Sequence, residues 1–128
     1  SLDCASKDMF KRIKGVDKFD DVVKNIKHYI KDAGEYSNHL IIKYILLEGL
    51  NDNREEIIKW LELCKLLNVR TLHPTIEFCH SANDPAKKGQ SEHICEMYEF
   101  MKEQIKGYGF NINTYDFVEE IVKNRSYK

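Results

Sequence analysis

HLIIKYILLEGLNDNREEI, from His39 to Ile57, is the stretch that decides the fold of this chain. Its first half, Leu40–Leu47, is bulky and partly β-branched, and Lys43 is the only charged residue in it. Such a run predicts a strand that is covered on both faces, as in parallel sheets. One glycine and three short polar residues then predict a turn, and the helix that follows can be capped by Asn51, Asp52 or Asn53. This is one βα unit, and in such folds ligands bind at the loop end of the strands.

The rest of the chain repeats this alternation of helices and strands. Apolar spacing and end signals predict further helices from a Ser6 cap to Gly15, from about Asp17 to Ala33, from about Arg54 to Leu67, from a Ser91 cap to Gly107, and after a Thr114 cap. Further strands are predicted at Val69–Phe78 and Phe110–Asn113, and Ser1–Asp3 can be the tail of another. This order implies an α/β fold with a short parallel sheet and right-handed crossovers.

Periodicity also predicts which side chains face inward. In Val69–Phe78, alternation puts Leu72, Ile76 and Phe78 on one face and His73, Thr75, Glu77 and Cys79 on the other. Pro74 interrupts this strand, which predicts that the strand is short or bent. The other residues assigned to the core are Met9, Phe10, Ile13, Phe19, Val22, Val23, Ile26, Ile30, Tyr44, Ile57, Trp60, Leu61, Cys64, Ile94, Met97, Tyr98, Met101, Ile105, Phe117, Val118, Ile121 and Val122.

Composition narrows the possible classes of protein. The length of 128 residues and a 42% hydrophobic content predict a single folded domain, residues 1–128. The 20 basic and 21 acidic residues are interleaved, so there is no basic stripe for nucleic acid. No apolar run reaches the roughly 20 residues that a membrane span needs. Four cysteines without CxxC spacing argue against a zinc ribbon or redox motif and favour a cytoplasmic protein.

Three segments in this order resemble the middle of radical S-adenosylmethionine (radical SAM) enzymes. The first is SLD at Ser1–Asp3 followed by FKRIKG at Phe10–Gly15, the second is FDDVVKNI at Phe19–Ile26, and the third is IKYILLEGLND at Ile42–Asp52. The similarity is greatest to the branch with molybdenum-cofactor and peptide-modifying members, and it covers roughly residues 1–78. The order and spacing of the three segments together make the resemblance specific.

The resemblance implies half of a partial (β/α)₆ TIM-like barrel. In the family, a CxxxCxxC loop after the first strand holds a [4Fe–4S] cluster, which reduces S-adenosylmethionine and releases a 5′-deoxyadenosyl radical. This sequence contains no CxxxCxxC, so the resemblance implies the C-terminal half of the barrel. We therefore expect no cofactor on this chain alone. The expected partners are the N-terminal half of the same protein and a small-molecule or peptide substrate. Open strand edges also predict a homo-oligomer.

The same resemblance suggests three residues for cofactor binding. Ser1 matches a serine that contacts the methionine part of S-adenosylmethionine. Asp3 either lines the same mouth or caps the next helix. Asn51, with Asp52, fits a turn that lies close to the adenosine, and it can also serve as a helix cap.

Lys43, His73 and Glu77 are the candidates for facing the substrate. A charge inside an apolar strand needs a partner. The resemblance implies that Lys43 points into the barrel, where Glu77 can be its partner. The alternative is a lysine that extends from an edge strand to reach solvent. His73 and Glu77 either face the lumen or belong to an ordinary polar sheet surface. Cys79 and His80 add metal-ligating groups, but no pair has the spacing of a standard site, so no metal is predicted.

Two functions follow as hypotheses. The first is the C-terminal portion of a radical SAM enzyme, forming one wall of the cofactor and substrate pocket. The second is a standalone α/β binding or scaffold domain without catalysis.

Overall fold

A parallel sheet of three strands forms the centre of the computed structural model, which describes residues 1–77 and 92–124. The strands are β1 (Ile41–Leu46), β2 (Thr71–Ile76) and β3 (Asn111–Ile112), in the order β1-β2-β3. The helices of the described ranges are α1 (Lys7–Lys14), α2 (Phe19–Ala33), α3 (Arg54–Leu66), α4 (Glu92–Gly107) and α5 (Asp116–Lys123), with a 3₁₀ helix at Gly34–His39 that the sequence did not predict. The predicted α/β class is confirmed, whereas half of a barrel remains a prediction.

The predicted strand tail at Ser1–Asp3 lies beside the outer edge of β1. The Leu2 amide donates to the Lys43 carbonyl at 3.0 Å, and the Leu2 side chain is buried in the core. This single ladder bond does not make a regular strand, but it covers the edge of β1 that β2 leaves open.

Pro74 lies in β2, the central strand, where proline is normally excluded. The carbonyls of Arg70 and Leu72 accept from amides of the β3 segment, at Asn111 and Asn113. Because backbone groups alternate between the two neighbours of a strand, the missing donor of Pro74 also faces that side. β3 has ended at Ile112, so the proline costs no ladder hydrogen bond and β2 stays regular.

The core lies between one face of the sheet and the helices α3 and α4. Ile42, Tyr44 and Leu46 alternate toward it from β1, and the Tyr44 ring packs 4.7 Å from the ring of Trp60 on α3. The predicted stripe of α4 is buried throughout, and so are the predicted inward residues of α3. Cys64 is a buried core residue, as predicted.

Three helix ends follow the predicted capping chemistry. The Ser6 hydroxyl accepts from the Met9 amide at the start of α1, and Gly15 ends that helix in the left-handed region at φ 77°. Of the three candidate caps before α3, Asn53 is the one used, because its side chain accepts from the Glu56 amide at 2.9 Å.

Helix α5 differs from the prediction. It begins at Asp116 without a side-chain cap, so the Thr114 cap is wrong. Val118 and Val122 are buried as predicted, but Phe117 is 53% exposed. This helix is short, so only one narrow stripe reaches the core, and Phe117 instead stacks on the Tyr115 ring at 5.3 Å.

The predictions for Phe78, Cys79, His80 and the Ser91 cap concern residues outside the described ranges. Within the described ranges, none of the helices is both long and apolar enough to cross a membrane.

The orientation of α5 can be tested with a matched pair of variants. Val118→Ala should destabilise the chain by about 2 kcal/mol, because it removes buried methyl groups and leaves a cavity. Phe117→Ala should cost less than half as much, since most of that ring is exposed to solvent. Urea unfolding measures both, and equal losses would contradict the described orientation.

Candidate functional site

A cleft of about 420 Å³ opens on the sheet face opposite α3 and α4, at the carboxyl ends of the strands. Its position is the one at which parallel α/β sheets bind ligands. The polar and aromatic residues that line it come from the N-terminal segment, α1, the first two strands and the C-terminal segment: Asp3, Lys14, Lys43, Thr75, Glu77, Tyr115 and Phe117.

Lys43 reaches this cleft because its strand neighbours, Ile42 and Tyr44, point into the core. Its ammonium donates to the Tyr115 hydroxyl at 3.0 Å and lies 5.3 Å from the centre of that ring. The described partner of Lys43 is thus Tyr115 and not the predicted Glu77, although Glu77 also lines the cleft. In the described part of the chain, no carboxylate forms an ion pair with Lys43.

His73 lies beside Lys43 in the strand register and is 3% exposed. The side-chain amide of Asn113 donates to its Nδ1 at 3.1 Å, and the Tyr115 ring covers it edge-on at 4.3 Å. Burial first, and then the charge of Lys43, lower the pKa of His73 below its usual 6.5. The ring is therefore neutral at pH 7, and because Nδ1 accepts, the proton is on Nε2.

Asp3 is buried at the rim of the cleft. One carboxylate oxygen accepts from the Ile45 amide at 2.8 Å, and the other lies 3.4 Å from the Lys14 ammonium. The carboxylate therefore takes the place of a strand partner along β1 and balances the charge of Lys14. Neither helix capping nor a direct cofactor contact is needed to explain its burial.

Asn51 is fully buried in the loop after β1. Its side-chain oxygen accepts from the Leu47 amide at 2.7 Å, and its side-chain nitrogen donates to the carbonyls of Asp3 and Ile45 at 2.8 and 2.9 Å. The Tyr44 hydroxyl donates to its backbone carbonyl at 2.7 Å. With these bonds formed, the side chain acts as a structural link, and its contact with an adenosine stays a prediction.

Of the remaining predicted residues, Glu77 lines the cleft and Ser1 is not among its lining residues. Ser1 is exposed beside the buried Leu2, and Glu77 is exposed at the end of β2. Asp52, which follows Asn51, accepts at its carbonyl from Nε2 of His93 at 2.6 Å, so the start of α4 is tied to the same loop.

Sequence reasoning missed Tyr115, Asn113 and Lys14. Tyr115 and Asn113 follow the short strand β3, so the rule that ligands bind after parallel strands would have found them had it been applied to the third strand. No sequence pattern indicated Lys14, because its role depends on how α1 packs over the strand ends.

The described cysteines do not fit an iron–sulfur cluster. Cys4 donates to the Ser6 carbonyl, and burial raises the pKa of its thiol to about 11. Burial likewise raises the pKa of the Cys64 thiol, whereas cluster ligands are thiolates. Among residues 1–77 and 92–124, no three metal-ligating side chains converge.

Comparison with curated proteins links part of the chain to a named enzyme. A probable GTP 3',8-cyclase of Saccharolobus solfataricus is 40% identical over 73 residues, which is 57% of this chain and 22% of that protein. Probable GTP 3',8-cyclases from two strains of Saccharolobus islandicus, L.S.2.15 and M.14.25, are 38% identical over 73 residues. The chain thus matches about a fifth of the length of these relatives. No protein-family profile and no solved structure matches the chain.

The role of Asn51 can be tested against its neighbour Asn53. Asn51→Ala should destabilise the chain by about 3 kcal/mol or more, because it leaves buried amide and carbonyl groups without partners. Asn53→Ala should cost about 1 kcal/mol, the usual loss for a helix cap. Thermal and urea unfolding provide the comparison, and equal costs would show that the Asn51 bonds are not essential.

The His73 pKa can be measured by an NMR titration of its ring protons. The His73 midpoint should lie below 6.5, and Lys43→Met should raise it because a repelling charge is removed. Since the unfolded chain binds this proton more readily, His73 lowers stability as the pH falls below about 6.5 toward its folded pKa. A midpoint above 6.5 would contradict the described burial.

Proposed function

We propose that this chain is a C-terminal portion of a radical SAM enzyme and forms one wall of its S-adenosylmethionine and substrate pocket. The observation that carries the proposal is the similarity to proteins named probable GTP 3',8-cyclase, which belong to that family. The cleft at the strand ends, which is lined by the Lys43 ammonium and lies next to the buried His73, supports the proposal independently. A purine nucleotide is accordingly the first substrate to test.

In this proposal the parent protein carries the [4Fe–4S] cluster on its other half, since the described cysteines do not fit one. When bound, the cluster supplies the electron for reductive cleavage of S-adenosylmethionine. Ser1 would face the methionyl group, and the loop at Asn51 would lie near the adenosine. Asp3 and Lys14 hold the rim of the cleft in place.

The substrate side of the pocket would be formed by Lys43, His73 and Glu77. Lys43 brings a positive charge that is ion-paired with no described carboxylate and is held in place by the Tyr115 hydroxyl. His73 brings a neutral donor fixed by Asn113. Fixed charges and donors of this kind orient a substrate without reorganising when it reacts.

The second hypothesis, a standalone binding or scaffold domain, has one observation in its favour. Ser1–Asp3 covers the outer edge of β1 through the Leu2 amide and the Asp3 carboxylate. A sheet protected in this way has less need of further strands on that side.

The genomic reading frame separates the two hypotheses. An in-frame CxxxCxxC upstream is expected, and the protein encoded by the whole frame, purified without oxygen, should convert S-adenosylmethionine to 5′-deoxyadenosine when dithionite and GTP are added. A start codon at or just before the codon for Ser1, or a whole frame whose protein holds no cluster and forms no 5′-deoxyadenosine, would favour the second hypothesis.

Lys43→Met in the full-length parent should reduce substrate turnover by roughly 10²-fold or more, because it removes a charge placed beside the reacting groups. Lys24→Met removes the same charge from an exposed position of α2 and should leave turnover unchanged. Product formation by chromatography, with thermal unfolding as the folding check, is the measurement. Full activity of Lys43→Met would remove this lysine from the site.

A further inference from the structure

The first turn of α5 lies beside the cleft, and only a narrow stripe of this helix is buried. Its buried residues are Val118 and Val122, and Tyr115, which directly precedes it, gives it no side-chain cap. The Tyr115 carbonyl accepts hydrogen bonds from the amides of Val118 and Glu119 at 3.1 and 3.2 Å. Tyr115 therefore moves with this turn, and its position depends on the contacts that hold the turn in place.

An ion pair provides such a contact. The Lys102 ammonium on α4 donates to both carboxylate oxygens of Glu119, at 2.7 and 2.8 Å. The two side chains are 24% and 35% exposed, so both are partly withdrawn from solvent. Charge-assisted hydrogen bonds of this length are among the stronger polar contacts in proteins. The pair thus joins the first turn of α5 to α4.

Lys102 is itself held against the core. Its ammonium lies 5.5 Å from the centre of the Tyr98 ring, which is one turn earlier on α4 and fully buried. An aromatic face attracts a cation at this distance. Burial first, and then Glu119, raise the pKa of the Tyr98 hydroxyl, so this phenol stays neutral and adds no charge beside the pair.

Tyr115 carries the position of this turn into the cleft. Its hydroxyl accepts from the Lys43 ammonium at 3.0 Å, and its ring lies edge-on at 4.3 Å from the ring of His73. A continuous series of described contacts therefore runs from the core of α4, through Lys102 and Glu119, to the two polar side chains on the cleft face of the sheet.

We infer that Lys102 and Glu119 are positioning residues of the cleft. Their ion pair fixes the first turn of α5 and thereby holds Tyr115 in contact with Lys43 and His73. Neither Lys102 nor Glu119 is among the residues that line the cleft, so they act on it through Tyr115. The inference rests on the proposed function for the identity of the cleft as the substrate site, and it adds the residues that keep this site in shape.

An NMR titration of the His73 ring in two variants tests the inference without any catalytic activity. Lys102→Met and Glu119→Ala remove opposite charges, and both introduce a good helix former. If the pair positions Tyr115, both variants should raise the His73 midpoint toward 6.5, because solvent then reaches a ring that burial keeps neutral. If the two charges acted on His73 only through space, Glu119→Ala would instead lower the midpoint, and that result would overturn the inference.

Nuclear Overhauser effects between the ring protons of Tyr115 and His73 report the position directly. They should weaken in both variants and persist in Lys102→Arg, since arginine can form the same bidentate pair with a carboxylate. Lys59→Met is the matched control, because it removes the exposed ion pair with Glu55 on α3 and should leave these effects unchanged. Full effects in Lys102→Met, or equal weakening in Lys59→Met, would contradict the inference.

The outcomes for the ion pair and for the proposed function are separate. In the full-length parent, Lys102→Met should reduce turnover by about tenfold or more, because small displacements of site residues are costly, and Lys102→Arg should retain most of it. If Lys102→Met does not fold, Glu119→Ala removes the same pair from the other side and decides. Unchanged turnover in Lys102→Met, in a parent that forms 5′-deoxyadenosine, would overturn this inference alone. The expected NMR changes without 5′-deoxyadenosine formation by the parent would instead overturn the proposed function.

Discussion

The buried side chain of Asn51 is the link on which the cleft depends. It joins the loop after β1, the end of β1 itself and the N-terminal segment, through bonds to Leu47, Ile45 and Asp3. None of these backbone groups has a ladder partner at that point, so an amide with one acceptor and two donors satisfies what the sheet leaves open. The Asp3 carboxylate, fixed by the same arrangement, then holds Lys14 over the rim.

The sheet has one apolar face that packs against helices and one face that carries the cleft. On the first, Tyr44 and its neighbours pack against Trp60 and the long helix α4, and apolar contact dominates. On the second, the same strands present Lys43 and His73, which are covered by Tyr115 rather than by a helix. Strict alternation along a strand makes this division possible, because adjacent residues point to opposite faces.

The polar groups in and next to the cleft depend on one another. Lys43 lowers the pKa of His73 and thereby helps to keep it neutral, while Asn113 fixes which nitrogen carries the proton. Tyr115 contacts both Lys43 and His73, and it is partly exposed. A change at any of these positions is therefore expected to alter the others, which is why the site is best tested as a unit.

The sequence by itself determined the local structure. The apolar run at Leu40–Leu47 became β1, and the periodic stripes of α3 and α4 became core. Ser6 capped the start of α1, Gly15 ended it, and one of the three candidate caps before α3, Asn53, was used. These features depend on residues within a few positions of each other, so they can be predicted from a single sequence. The tertiary structure alone decided that Asn51 binds Asp3 across 48 positions and that Tyr115 rather than Glu77 meets Lys43. It also turned Phe117 out of the core, because the packing of distant segments, and not local periodicity, sets which face of a short helix is buried.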